Sequence, residues 1–218
     1  MNDISDTARL LLSLRKEGIT DSKILTAFEN VPRHLFVPKI FSDKAYDDVA
    51  LPIACGQTIS QPSLVGVMVN ALEIEERAKV LEVGTGSGYQ TAILSHLCLR
   101  VYSIERHRDL SLDAVERFSA LDLANISTAV GDGTLGWPEQ APFGRILVSA
   151  AAPQVPETLL EHMSDGGIMI IPVGDPLEQQ TLFRVRRAGK SFKCEKMFQV
   201  RFVPLVSDTG KNRDDRFR

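Results

Sequence analysis

What this chain lacks narrows its possible roles before any motif is read. No apolar run approaches the roughly 20 residues a membrane-spanning helix needs, and the opening MNDISDTARL lacks the basic-then-apolar layout of a signal peptide. Its three cysteines, Cys55, Cys98 and Cys194, are too few and too scattered for a disulfide framework or a zinc site. The four histidines show no metal-ligand spacing. A cytoplasmic protein with reduced thiols and no metal is therefore expected. Excess positive charge is missing too: the net charge is −3, and the one basic run, Phe183 to Lys190, is short. That supplies no general field for a phosphate backbone, so neither nucleic acid nor a membrane is an expected partner.

What is present suits an ordinary globular enzyme. With 218 residues, 44% hydrophobic and 24% charged, the chain can bury a substantial core as one domain. The expected layout is an N-terminal helical and loop extension over residues 1–60, a core over 61–207 and a polar tail over 208–218. A monomer is expected. Asp6 to Gly18 has helical apolar spacing and a terminal glycine, and a second helix opens at Thr20 and Asp21 and stops before Pro32. Pro32, Pro38 and Pro52 punctuate an irregular crossing to SLVGVMVNALEI, which reads as a helix starting near Ser60 to Pro62. From Lys79 onward short apolar strands alternate with helices, predicting a mostly parallel sheet covered on both faces. The last two strand-like runs, QTLFRVRR and FKCEKMFQVRFVPL, are joined only by AGKS and are expected to pair antiparallel.

The strongest chemical signal is EVGTGSGY. Gly84, Gly86 and Gly88, with Thr85 and Ser87 between them, stand between a strand and a helix, where missing Cβ atoms permit a sharp turn and a close ligand approach. A third glycine at position 89 would complete a dinucleotide fingerprint, but the chain has Tyr89 there. Glu105 ends the next strand, about 20 residues after the glycines, where an acid can accept both ribose hydroxyls. Asp132, followed by Gly133, closes a third strand and is placed to accept from an adenine amino group. Taken singly, Glu105 reads equally well as a solvated strand end and Asp132 better as a turn residue. In series with the glycines they resemble the S-adenosylmethionine site of Rossmann-like methyltransferases.

LPIACGQTISQP ahead of VLEVGTGSGYQTAIL, with VSAAAPQVP, GGIMIIPVG and VRFVPLV following in order, closely resembles the protein-L-isoaspartate O-methyltransferases, particularly the bacterial form. The resemblance runs from about Ile24 to Val206. It implies a doubly wound, Rossmann-like α/β fold with added N-terminal helices. It also implies methyl transfer from S-adenosyl-L-methionine to the free α-carboxylate of L-isoaspartyl residues in damaged proteins and peptides, leaving S-adenosyl-L-homocysteine. The family's active-site serine falls on Ser60; Gln57, Thr58 and Ile59 fall on the loop between cofactor and peptide; and the glycine run, Glu105, Asp132 and Gly133 fall on the cofactor site. Ala54 and Cys55 depart from the pattern, since relatives usually carry glycine at the first of these positions.

The implied chemistry needs no conspicuous base. An α-carboxyl group has an unperturbed pKa near ~3.5, so the acceptor is already ionised at neutral pH. The main tasks are to align the reacting atoms and exclude water. Ser60 can donate its O–H to one carboxylate oxygen, and it is also a residue type that favours a helix N-cap; it is expected to do both, with catalysis dominant. VRFVPL is read either as a strand beside bound peptide or as a plain core strand. The rival readings are a methyltransferase of the same fold acting on a small molecule or RNA, and a module that binds the cofactor without turning it over.

Overall fold

The computed structural model describes residues 4–175 and 178–208, so the tail beyond 208 lies outside the described residues. Helices α1 (Ile4–Lys16) and α2 (Ser22–Asn30) come first. Asp21 opens α2 by accepting a hydrogen bond from the Lys23 amide at 2.8 Å, an N-cap of the kind its side chain favours. An irregular stretch then leads to two very short strands, β1 (Leu51–Pro52) and β2 (Thr58–Ile59), which pair antiparallel, and to α3 (Pro62–Ala71). A β-carbon on Gly66 would lie 2.5 Å from Ile19 Cδ1, so α3 can press this closely on the N-terminal helices only because that position is glycine.

The main sheet has seven strands: β3 (Lys79–Val83), β4 (Arg100–Glu105), β5 (Ile126–Val130), β6 (Phe143–Val148), β7 (Met163–Val173), β8 (Gln180–Ala188) and β9 (Ser191–Val200). Their spatial order is β5-β4-β3-β6-β7-β8-β9. The first five pair in parallel, whereas β8 is antiparallel to both β7 and β9, the reversed C-terminal pair expected from the AGKS link. Helices α4 (Tyr89–Ser95), α5 (Arg108–Ala120) and α6 (Glu157–Glu161) fill the crossovers.

Side-chain alternation along β3 shows why both faces are covered. Val80 packs into a core shared with α1 to α5, and Leu81 and Val83 pack into a second core with Ile146, Val148 and Leu159. After β3 the chain winds outward through β4 to β5, then returns to place β6 on the other side of β3. The crevice at the carboxyl ends of β3, β4 and β6 is therefore a topological switch point, where open α/β sheets receive ligands.

VRFVPL is not a strand of the sheet. Beyond Val200, the last residue of β9, it leaves the sheet and crosses its top: Phe202 N donates to Gln180 Oε1, Ala151 N donates to Val203 O and Leu205 N donates to Ala151 O, each at 2.8 Å.

Candidate active site

A cleft enclosing roughly 890 Å3, its open mouth included, lies at that switch point. Its floor comes from Val83 to Ser87, Ile104 to His107, Gly133, Ser149 and Ala150, its roof from Val203 to Val206, and one wall from Gln57 to Ser60. Of the sequence-predicted residues, Gly84 to Ser87 of the glycine turn, the loop from Gln57 to Ser60, Glu105 and Gly133 thus meet in one place, whereas Gly88 and Asp132 are not in the lining.

The glycine turn is shaped by backbone that other residues resist. Gly84, Gly86 and Gly88 all have positive φ, and a β-carbon on Gly88 would meet the Phe118 ring at 2.8 Å. Buried Glu105 holds the turn from the side: one carboxylate oxygen accepts from Gly86 N at 2.8 Å and the other from His107 N at 2.9 Å. Each oxygen retains a lone pair for a ligand hydroxyl. A bare glycine cradle beside an acid with spare acceptor capacity fits the ribose and amino-acid portions of a nucleoside cofactor.

Beneath the turn lies a group that the motif reading passed over. Glu82, fully buried in β3, accepts from Ser103 Oγ, Thr91 Oγ1 and Gln90 Nε2. The Gln90 amide also reaches Ser149 Oγ at 2.7 Å, and Ser103 Oγ lies 2.6 Å from Thr85 Oγ1. Thr85, Gln90 and Ser149 all line the cleft. Burial pushes the Glu82 carboxyl up to about 7, against the pull of those three donors. The signal was available: an acid inside an otherwise apolar buried strand has to be hydrogen-bonded to be tolerated.

Asp132 is engaged internally. Its Oδ1 accepts from Thr134 N and Oγ1, and its Oδ2 accepts from Ser207 Oγ at 3.1 Å and Asp208 N at 2.8 Å. Burial alone would raise its pKa; the hydrogen bonds from Thr134, Asp208 and Ser207 outweigh that and hold it below the ordinary carboxylate value. Arg106 ties the same segment down, bonding Val206 O and pairing with the Asp208 carboxylate at 2.8 Å.

The loop wall bears on the capping role expected of Ser60. Helix α3 has Gln61 at its N-cap position, with no side-chain capping bond. The helix end is capped from a distance by Asp48, which accepts from Ser63 N at 2.8 Å. The Ser60 hydroxyl makes no hydrogen bond among the described residues, so the capping role expected for it is not filled. Upstream, the departure at Ala54 is harmless, because positive φ falls on Cys55 (φ 56°) and Gly56 instead. Cys55 is the residue that carries the strain.

Buried Arg33 lies behind this loop and was not singled out by motif or spacing. Its guanidinium donates to Ala45 O at 3.0 Å, Val49 O at 3.2 Å and Ser60 O at 2.9 Å, and stands 5.4 Å from the centre of the Tyr89 ring.

A parallel sheet with a reversed C-terminal strand pair, a glycine turn at its switch point and an acid ending the next strand defines a Rossmann-like methyltransferase. Comparison with known proteins narrows the class. The model of the protein-L-isoaspartate(D-aspartate) O-methyltransferase family matches residues 5–210. The protein-L-isoaspartate O-methyltransferase of Maricaulis maris is 56% identical over 203 residues, 93% of this chain and 95% of the relative. That of Paracoccus denitrificans is 54% identical over 215 residues, covering 97% and 100%. A solved protein-L-isoaspartate O-methyltransferase superposes with a TM-score of 0.85 at 27% identity, over 93% of this chain and 66% of that one. A Plasmodium falciparum structure, solved in complex with S-adenosyl-L-homocysteine, shares the fold with a TM-score of 0.78 at 24% identity, over 91% and 97%. The chain belongs to the protein-L-isoaspartate O-methyltransferase family.

Proposed function

We propose that this protein methylates the free α-carboxylate of L-isoaspartyl residues in damaged proteins and peptides, with S-adenosyl-L-methionine as methyl donor. Its close relatives carry that activity in their names, and one observation supports it for this chain: a Ser60 hydroxyl without a hydrogen bond among the described residues, on the wall of the cleft whose floor is the glycine turn. When bound, the cofactor supplies an electrophilic methyl group on a sulfonium. The turn from Gly84 to Gly88, with Thr85 and Ser87, holds its backbone-facing parts, and Glu105 accepts the ribose hydroxyls. Gly133 and Asp132 serve the base end. Asp132 has both oxygens fully engaged, so it accepts from the base by exchanging the donors of Ser207 and Asp208.

On the opposite wall, Gln57, Thr58 and Ile59 position the peptide while Ser60 donates to one oxygen of the acceptor carboxylate and turns the other toward the methyl group. No proton has to be removed, because the acceptor is already an anion. The resulting methyl ester is a better leaving group than the carboxylate it replaces. The neighbouring backbone nitrogen can then displace methanol to give a succinimide, which reopens with water, partly to normal aspartate. The free thiols of Cys55, Cys98 and Cys194 support a reducing, cytoplasmic setting.

The test is methyl transfer to two synthetic peptides that differ only in aspartate against isoaspartate. Labelling of the isoaspartyl peptide alone is the expected result; labelling of RNA with neither peptide methylated would overturn the reading.

A further inference from the structure

Arg33 is a fully buried cation with no ion-pair partner within 4.0 Å among the described residues. Removing such a charge from water is costly, so its retention calls for a role that an apolar side chain could not fill. Three carbonyls and a ring face solvate it, and its Nε has no hydrogen-bond partner among the described residues. The carbonyls belong to residues 45, 49 and 60, the beginning and end of the excursion that carries the β1–β2 hairpin. Only a planar guanidinium fork offers donors in several fixed directions at once; a lysine ammonium is a single point.

The consequence falls on Ser60. Its carbonyl is held at 2.9 Å by Arg33, the preceding Ile59 is held by pairing with Leu51, and Ser63 is held by Asp48. With the backbone fixed on three sides, the direction of the Ser60 Cα–Cβ bond is set although its hydroxyl makes no hydrogen bond among the described residues. The same guanidinium lies against Tyr89, the first residue of α4 and the neighbour of Gly88. One buried side chain therefore references the acceptor wall to the glycine turn.

We propose that Arg33 is the positioning residue for Ser60, holding its backbone so that the hydroxyl meets the acceptor carboxylate in line with the donor methyl group. This rests on the reading of Ser60 given above.

The test is a double-mutant cycle of wild type, Arg33→Lys, Ser60→Ala and the double variant. It compares kcat and KM on the isoaspartyl peptide per folded molecule, S-adenosylhomocysteine affinity, and hydrogen exchange at the amides of residues 58–61. Arg33→Lys is expected to lower kcat by about tenfold or more, the scale on which small misplacements act. It should leave cofactor affinity within about twofold and speed exchange at residues 58–61. The double variant should be no slower than Ser60→Ala, because both changes remove the same contact. Losses that multiply, or a variant that is less stable yet fully active per folded molecule, would overturn the proposal. If Arg33→Lys does not fold, Arg33→Met carries the same cycle, keeping volume without charge. A wild type that methylates neither peptide would overturn the reading of Ser60 instead; exchange at residues 58–61 would still test the clamp, and unchanged protection would refute it.

Discussion

The two walls of the cleft are built on opposite plans. On the cofactor side the polar side chains of Glu105, Thr85 and Gln90 are already committed inside the protein: Glu105 to Gly86 and His107, Thr85 to Ser103, Gln90 to Glu82 and Ser149. On the proposed acceptor side the strands are two residues long, the loop from Ala54 to Gly56 is exposed, and the Ser60 hydroxyl has no hydrogen-bond partner among the described residues. A ligand that never varies is met by a preorganised surface, which lowers the ordering cost of binding. On the function proposed above, a main chain that differs from one substrate to the next is met by the Ser60 donor on a loop whose backbone is held.

The sharpest way to break this contrast is Ser60→Ala. Turnover on isoaspartyl peptide is expected to fall on the order of 10²-fold, as when one well-placed donor to a reacting oxygen is lost. With no capping bond to lose, stability should stay within the ~0.5 kcal/mol of an ordinary surface change. A melting temperature that drops while turnover per folded molecule persists would reverse the assignment.

Glu105→Ala should act on the other wall alone. Calorimetry with S-adenosylhomocysteine should show a loss of about 1.5–3 kcal/mol, the scale of hydrogen bonds to a charged group. Asp132→Asn should cost less, because that carboxylate gives up existing donors to gain one from the ligand; an equal loss in both would show that Ser207 and Asp208 do not compete for it.

Glu82 gives the cofactor side a pH signature. Its carboxyl titrates at about 7 in the folded protein against an ordinary value of 4.5. Between those values the folded chain holds a proton that the unfolded chain has released, so stability should fall as pH rises from about 4.5 to about 7. Urea unfolding at pH 5 and pH 7 should show a smaller fall for Glu82→Gln than for wild type; parallel slopes would remove Glu82 as the cause. The smallest effect is expected at the loop, where Cys55→Gly should stabilise by about 0.5–1 kcal/mol by relieving a left-handed non-glycine residue.

Much of the cofactor wall was legible in the sequence because its signals are local. Glycines at spacing two between a strand and a helix, with an acid at the next strand end, depend on chain order alone. The sheet was legible because buried parallel strands read as short apolar runs between helices. Arg33 was not, since its partners lie 12, 16 and 27 residues away and VPRHLF gives no sign that the arginine points inward. Nor could the sequence separate a serine that caps a helix from one placed just before it, because the cap on the Ser63 amide arrives from Asp48, 15 residues before Ser63. The commitment of Asp132 to Ser207 and Asp208 joins residues more than 70 positions apart.

Glu82 also bears on the order of assembly. Its hydroxyl and amide donors come from β4 and α4, and the amide is itself braced by a serine beyond β6. A half-built sheet lacking any one of these segments would bury an acid short of its partners, a state penalised relative to both the open chain and the finished sheet. The central strands are thereby made to dock as a set, and misthreaded collapsed forms are disfavoured by the same side chain that supports the floor of the cleft.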